Sequence, residues 1–262
     1  MDASHDTPDL AVAITAFNSM RTIERALESV RGLARVVVVV DSGSTDGTPE
    51  RCREMGAMVV HHPWSGYGEQ KRISIAQCAG HEWTLVLDSD ESVEPRLRES
   101  IKSALARSAE PANGYEVNRK IWFLGGWLNH TFQPEWRLRL FRTSEGRVVG
   151  DLHEAIVVDG GTRRLAGDLR HDSFRDMDDM LRRHLNYASV LAAHDGRGGT
   201  IFRILVSPSA AFLKQLLLRR GFLDGWRGVL AAGGMAACAL MKHLLLAQRR
   251  HFGPIGDTRS NA

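Results

Sequence analysis

The chain has 262 residues, 43% of them hydrophobic and 25% charged, with a formal net charge of +3. These values exclude a disordered tail and give no general case for nucleic-acid binding; they suit a globular protein with one principal domain and an appendage. Cys52, Cys78 and Cys238 are widely spaced without a CxxC, so neither a zinc site nor a disulfide framework is indicated, and a reducing environment fits.

Met1 to Asp9 carry no basic and apolar run of the secretory kind, which places the expected body of the protein in the cytoplasm. Leu10 to Thr15 reads as a short buried strand, and Ile23, Ala26, Leu27 and Val30 then recur at helical spacing. Val36 to Val40 is β-branched without alternation, the pattern of a parallel strand covered on both faces. Thr48-Pro49 offers an N-cap followed by proline at the first helical position. Met58 to His61 is a third strand, Glu69 to Ala79 a helix, and Trp83 to Leu87 a fourth strand. Strands alternating with helices predict an α/β fold with a doubly wound sheet.

From Gly114 the pattern changes. Gly114 to Arg119 and Arg137 to Arg142 alternate as half-exposed strands, and Arg137, Arg139 and Arg142 are expected on one face of the second. A helix is expected from about Met177 to His194, with Met177, Leu181, His184, Leu185, Ala188 and Leu191 sharing a face. Residues 201–252 hold eight Lys or Arg and one acid, Asp224. The apolar runs Ile204 to Leu213 and Gly228 to Met241 lie among those cations. The second run falls short of the ~20 residues of a spanning helix, so a basic, apolar helical appendage over residues 201–262 is expected to lie on an anionic membrane surface. A helical pair docked on the protein's own core, or a dimer interface, is the plainer alternative for the same segment. Residues 1–200 form the expected catalytic domain.

Two acidic loops end two of the apolar strands: Asp41-Ser42-Gly43-Ser44-Thr45-Asp46-Gly47-Thr48, and Asp88-Ser89-Asp90-Glu91. In an open α/β sheet, ligands bind outside the carboxyl ends of the strands, so Asp41, Asp88 and Asp90 converge on one crevice. Three carboxylates beside a diphosphate call for a hard divalent cation, Mg²⁺ or Mn²⁺. A turn or capping aspartate, and an aspartate-rich turn, are the plainer readings of the same residues.

Together with Thr15-Ala16-Phe17-Asn18, these segments resemble the N-terminal signatures of glycosyltransferase family 2. The similarity continues through Trp64-Ser65-Gly66-Tyr67-Gly68-Glu69-Gln70-Lys71, Arg137 to Arg142, His153-Glu154 and the apolar tail. The whole chain is similar to the lipopolysaccharide-core β-1,4-glucosyltransferase branch. That resemblance implies a GT-A fold, with a mixed sheet and a Rossmann-like nucleotide half, and an inverting enzyme with a UDP-sugar donor. It implies that Thr15, Phe17, Asn18, Asp41, Ser42, Gly43, Lys71, Asp88 and Ser89 bind the nucleotide sugar, with Asp41 receiving an N–H from the base. Asp90 would ligate the metal, with His171 completing its shell; a satisfied loop histidine is the plainer reading of His171.

Inversion by single displacement needs a base for the acceptor hydroxyl. Glu154 is the candidate and Asp151 the alternative, with His153 between them. The expected acceptor is a glycolipid, the lipopolysaccharide inner core, reached from the inner face of the cytoplasmic membrane. A polyprenyl phosphate acceptor, or a non-catalytic scaffold retaining the fold, is the competing expectation. The arginine series and Trp122, Trp127 and Trp136 stand as candidates for phosphate and sugar contacts, beside simple solvation and packing.

Overall fold

The computed structural model describes residues 9–106, 112–150, 154–194 and 198–252. Asp151 and His153 lie outside the described residues. In chain order the elements are β1 (Leu10–Ala16), α1 (Ile23–Val30), β2 (Val36–Asp41), α2 (Thr48–Glu54), β3 (Met58–His61), α3 (Tyr67–Ala76), β4 (Trp83–Asp88), β5 (Glu91–Val93) and α4 (Pro95–Ala106). There follow β6 (Gly114–Phe123), β7 (Gly126–Trp127), β8 (Trp136–Arg142), β9 (Arg147–Val149), β10 (Ala155–Val157), β11 (Thr162–His171), α5 (Met177–His194), α6 (Ile201–Leu213) and α7 (Trp226–Phe252). The contacts divide the chain into two compact units, residues 1–120 with 134–172, and residues 121–133 with 173–262.

The first unit is built on a sheet of order β3-β2-β1-β4-β8-β6-β11-β5. Strands β1 to β4 run parallel, and β8 joins β4 antiparallel, so the sheet is mixed. Alternation along β1 sends Leu10, Val12 and Ile14 to one face and Ala11 and Ala13 to the other. The first face packs on Ile23, Leu27 and Val30 of α1 and Leu97 and Ile101 of α4. The second packs on Cys78 and Ile75 at the end of α3. Covering on both faces explains the unbroken valines of β2, of which Val38, Val39 and Val40 are fully buried.

Local chemistry moves some boundaries. Helix α2 is capped by Gly47 in the left-handed conformation, whereas the sequence suggests Thr48. Thr48 is inside the helix because its hydroxyl is taken by Asp46 and by the amide of Ser19. Strand β11 passes the start of α4 closely; at Gly167, φ +98°, a Cβ would strike the backbone of Arg96 and Leu97. That glycine lets β11 run on to pair its last residue, His171, with Glu91 of β5.

In the second unit α7 packs on both α5 and α6. The division therefore falls after residue 172, since α5 groups with the C-terminal helices. The buried stripe of α5 is Met180, Ala188 and Ala192, rotated from the expected face. Small residues on α7, Gly228, Ala231, Ala232, Gly234 and Cys238, form its buried side. The Asp224 carboxylate accepts the amides of Asn129 at 2.8 Å, His130 at 3.1 Å and Thr131 at 2.8 Å, fixing the segment after β7. The expectation of an apolar run too short to span is corrected on length. Ile201–Leu218 (18 residues) and Trp226–Phe252 (27 residues) are long and apolar enough to cross a membrane by length and composition alone. Lys242 and His243 interrupt the apolar run, but no glycine or proline occurs between them and Phe252 to stop the helix, and Gly253-Pro254 come only after it.

Candidate active site

Strand register assembles the acidic residues. Thr15 of β1 lies opposite Val40 on one side and Asp88 on the other, and Ala16 lies opposite Asp41. Asp41 and Asp88 thus flank the end of one strand, their backbones about 10 Å apart at two strand spacings.

The loops above these ends are tied to one another. Asp41, 2% exposed, folds back so that Oδ2 accepts the amides of Gly43 and Ser44, both at 2.9 Å. Gly43 has φ +95°, which the turn requires. Asn18 donates its amide to the Ser44 hydroxyl at 2.8 Å and accepts the Thr45 amide at 2.9 Å. Ser89 shares a 2.7 Å hydrogen bond with the Ser19 hydroxyl. Phe17 stands 59% exposed beside them. Thr15, Asn18, Asp41, Ser42, Gly43 and Ser89 therefore occupy one rim, with Asp41 in the turn-closing geometry that its plainer reading describes.

Asp88 is the centre of a charged network. Its Oδ2 accepts from Arg139 at 2.8 Å, its Oδ1 lies 3.1 Å from the Lys71 ammonium, and Arg119 stands 4.0 Å away. Burial raises the Asp88 carboxyl, but Arg139, then Lys71 and Arg119, outweigh it and hold it well below the usual carboxylate range. Lys71, 7% exposed one turn into α3, also donates to Glu154 at 2.9 Å. Three residues distant in sequence, Lys71, Asp88 and Glu154, thus meet around one ammonium. A cavity of about 410 Å³ opens beside them, lined by Lys71, Asp88, Arg119, Trp136, Arg139 and Glu154. A larger cavity, about 690 Å³, between α4 and β11 is lined by none of the expected site residues.

Asp90 faces His171, whose Nε2 is 3.5 Å from Oδ2. Burial raises the Asp90 carboxyl and His171 more than reverses it, leaving it below its usual value. The pairing of β11 with β5 delivers the imidazole, and the Asp172 amide donates to the Asp90 carbonyl at 2.9 Å. Asp172 is itself clamped by Arg25 and by a bidentate Arg170. Among the described residues the buried His171 Nδ1 has no hydrogen-bond partner. One carboxylate oxygen and one imidazole nitrogen at this separation fit two adjacent positions of a small divalent ion, whose ligand bonds run about 2.0–2.2 Å. Among the described residues no group of three such side chains is arranged to hold an ion.

Three features escaped the sequence reading. Glu91, fully buried, accepts the Asp88 amide at 3.1 Å and pairs with Arg139 and Arg119. Arg119 and Glu135 form a fork closed at 2.6 and 3.1 Å. Arg142 departs from the expected common face: an odd offset from Arg137 turns it away, where it stacks 4.7 Å over Trp83 and pairs with Glu82. Arg139 is spent inside the network, while Arg137 is exposed and held by Glu135. Trp122 and Trp127 pack edge to face at 5.0 Å, and Trp136 lies beneath Arg164.

Residues 11–158 match the model of glycosyl transferase family 2, more than half of the chain. The chain belongs to glycosyl transferase family 2. It is 29% identical over 260 residues to the lipopolysaccharide core biosynthesis glycosyltransferase LpsC of Rhizobium meliloti (strain 1021), covering 91% of this chain and 94% of that one. An uncharacterized glycosyltransferase of Rickettsia bellii (strain RML369-C) is 38% identical over 238 residues, covering 85% and 80%. Among solved structures, glucosyl-3-phosphoglycerate synthase from Mycobacterium tuberculosis in complex with phosphoglyceric acid matches with a TM-score of 0.46 at 20% identity, covering 72% and 80%. This family-2 chain has the mixed α/β sheet of the GT-A fold and resembles the lipopolysaccharide-core branch.

Proposed function

We propose that this glycosyltransferase moves a hexose, glucose in the first instance, from a UDP-sugar to a hydroxyl of a glycolipid, the lipopolysaccharide inner core, with inversion. The carrying observation is the meeting of Asp88 and Glu154 within 3.1 Å of the Lys71 ammonium, beside the Asp90–His171 pair. Resemblance to LpsC over nearly the whole chain supports the class of acceptor.

In this reading Asp41, whose Oδ1 also accepts the Ser44 hydroxyl, offers its remaining Oδ1 lone pair to an N–H of the base, and Phe17, Asn18, Thr15, Ser42, Gly43 and Ser89 form the rim that receives the nucleoside. Lys71 serves the diphosphate as a compact cation. Asp90 and His171 hold Mg²⁺ or Mn²⁺, which when bound neutralises the leaving diphosphate. Glu154 takes the acceptor proton as the acceptor oxygen bonds to the anomeric carbon. The bond from that carbon to the phosphate oxygen breaks, and its electron pair leaves with UDP. Arg139 and Glu91 position Asp88 from behind.

The helical unit works in this reading as a peripheral attachment to the inner face of the cytoplasmic membrane, with catalysis in the sheet unit. A third of the apolar window of α7 is buried, which supports a helix that packs partly within its own unit in this reading. The test is incubation with UDP-[¹⁴C]glucose and lipopolysaccharide from a core-truncated strain. Labelled product with a β linkage is expected. No transfer from UDP-glucose, UDP-galactose or GDP-mannose would refute the reading.

A further inference from the structure

Helix α6 turns its apolar side outward. Phe202, Val206, Leu213 and Leu217 recur at helical spacing, and are 72%, 44%, 48% and 54% exposed. No residue of α6 or of the π turn Lys214–Leu218 that extends it is buried. The face continues around the tip before α7, where Leu218, Phe222, Leu223 and Trp226 are 80%, 52%, 56% and 55% exposed. Leaving such side chains in water forgoes about 1.5–3 kcal/mol each, so the face has an occupant.

The tip is braced. Arg219 donates to the Gln133 carbonyl at 2.6 Å, Arg227 to the Leu124 carbonyl at 3.0 Å, and Asp224 clamps residues 129–131. Arg220 holds the turn in a left-handed conformation, φ +58°. Charge names the occupant. Arg203 and Lys214, eleven residues and hence about three turns apart, border one edge of the apolar face. Across residues 201–252 the cations outnumber the single acid, Asp224, eight to one. That acid faces inward.

We infer that α6 and the 217–226 tip form one insertion surface for an anionic lipid bilayer. Helix α6 lies along the headgroup boundary, its Phe202–Leu217 face sunk about 5–10 Å, while Arg203, Lys214 and Arg220 reach lipid phosphates. The inference rests on the membrane reading above and specifies which surface of the unit enters lipid.

The full chain is tested by co-sedimentation with vesicles of phosphatidylglycerol and phosphatidylethanolamine, and with phosphatidylcholine alone. F202E/L213E and L218E/F222E should each lower partition onto the anionic vesicles at least tenfold, with unchanged melting profiles. R203Q/K214Q should lose most of the preference for anionic over zwitterionic vesicles. Vesicles carrying brominated acyl chains should quench tryptophan fluorescence in the wild type, and less so in W226F. Wild-type partition in both glutamate variants would overturn the inference. So would a wild-type dimer that ignores vesicles and becomes monomeric in either variant, which assigns the face to a second copy. Transfer to deacylated core oligosaccharide is measured in parallel. Its absence in the wild type refutes the proposed reaction, and its retention in the glutamate variants separates lipid insertion from catalysis.

Discussion

Replacing Arg139 by methionine tests whether the buried network holds the nucleotide loop. The Arg139 and Glu91 side chains are 6% and 0% exposed, and the same guanidinium nitrogen reaches Asp88 at 2.8 Å. Removing one partner of a buried pair costs about 3–5 kcal/mol, because the other charge is left in a poorly solvating place. Glu91 keeps Arg119 at 3.4 Å and Asp88 keeps Lys71 at 3.1 Å, which puts the expected loss at the lower end, about 3 kcal/mol. At roughly 2–4 °C per kcal/mol this lowers the melting temperature of the sheet unit by about 6–12 °C. The double variant E91Q/R139M removes the stranded carboxylate and leaves an amide oxygen to accept the Asp88 amide, so it should recover about half of the loss. UDP affinity should stay weakened in both variants, since Asp88 has lost its anchor. Scanning calorimetry with UDP titration reads both effects. A loss under about 1 kcal/mol in R139M, or additive losses in the double variant, would refute the reasoning.

Glu154→Gln should lower transfer about 10²–10⁴-fold while UDP binding changes little, measured by radiolabel transfer and calorimetry; full activity would direct attention to Asp151. Burial raises the Glu135 and Asp224 carboxyls, but the Arg119 guanidinium, and the Thr131 and His130 donors respectively, bring both below their ordinary values of 4.5 and 3.8. Their stabilisation is therefore complete above those values and lost as pH falls below them, so urea midpoints should drop steeply below about pH 4. A midpoint that rises on acidification would contradict this. Asp224→Asn presents an amide to donors it now accepts, costing about 2–3 kcal/mol, and hydrogen exchange of the Asn129–Thr131 amides should speed accordingly. Unchanged protection there would remove Asp224 from its clamping role.

Much of this arrangement was legible in the chain because it is local. The periodicity of Ile23, Ala26, Leu27 and Val30 is the buried face of α1 without change. Unbroken valines marked β2, and the acidic loops marked the carboxyl ends. What escaped depends on contacts between distant segments. Alternation along β8 showed that Arg139 and Leu140 face opposite ways but not which face would be buried, and that was decided by Glu91 arriving from β5. The approach of His171 to Asp90 depends on the antiparallel pairing of β11 with β5, two elements with no clear sequence signature. Lys71 looked like any helix lysine. Only the folded chain brings Asp88 and Glu154 to its ammonium. On α5 the stripe rotated because small residues of α7 let Met180 in: a Cβ on Gly234 would press on its sulfur at 2.8 Å.

The most direct test of the central claim is calorimetric titration of UDP into the full chain, with and without Mn²⁺, beside Asp90→Ala. The account predicts binding that strengthens at least tenfold with Mn²⁺ in the wild type, and no metal effect in the variant. Equal UDP affinity in all four conditions would contradict a metal-assisted donor site at Asp90 and His171.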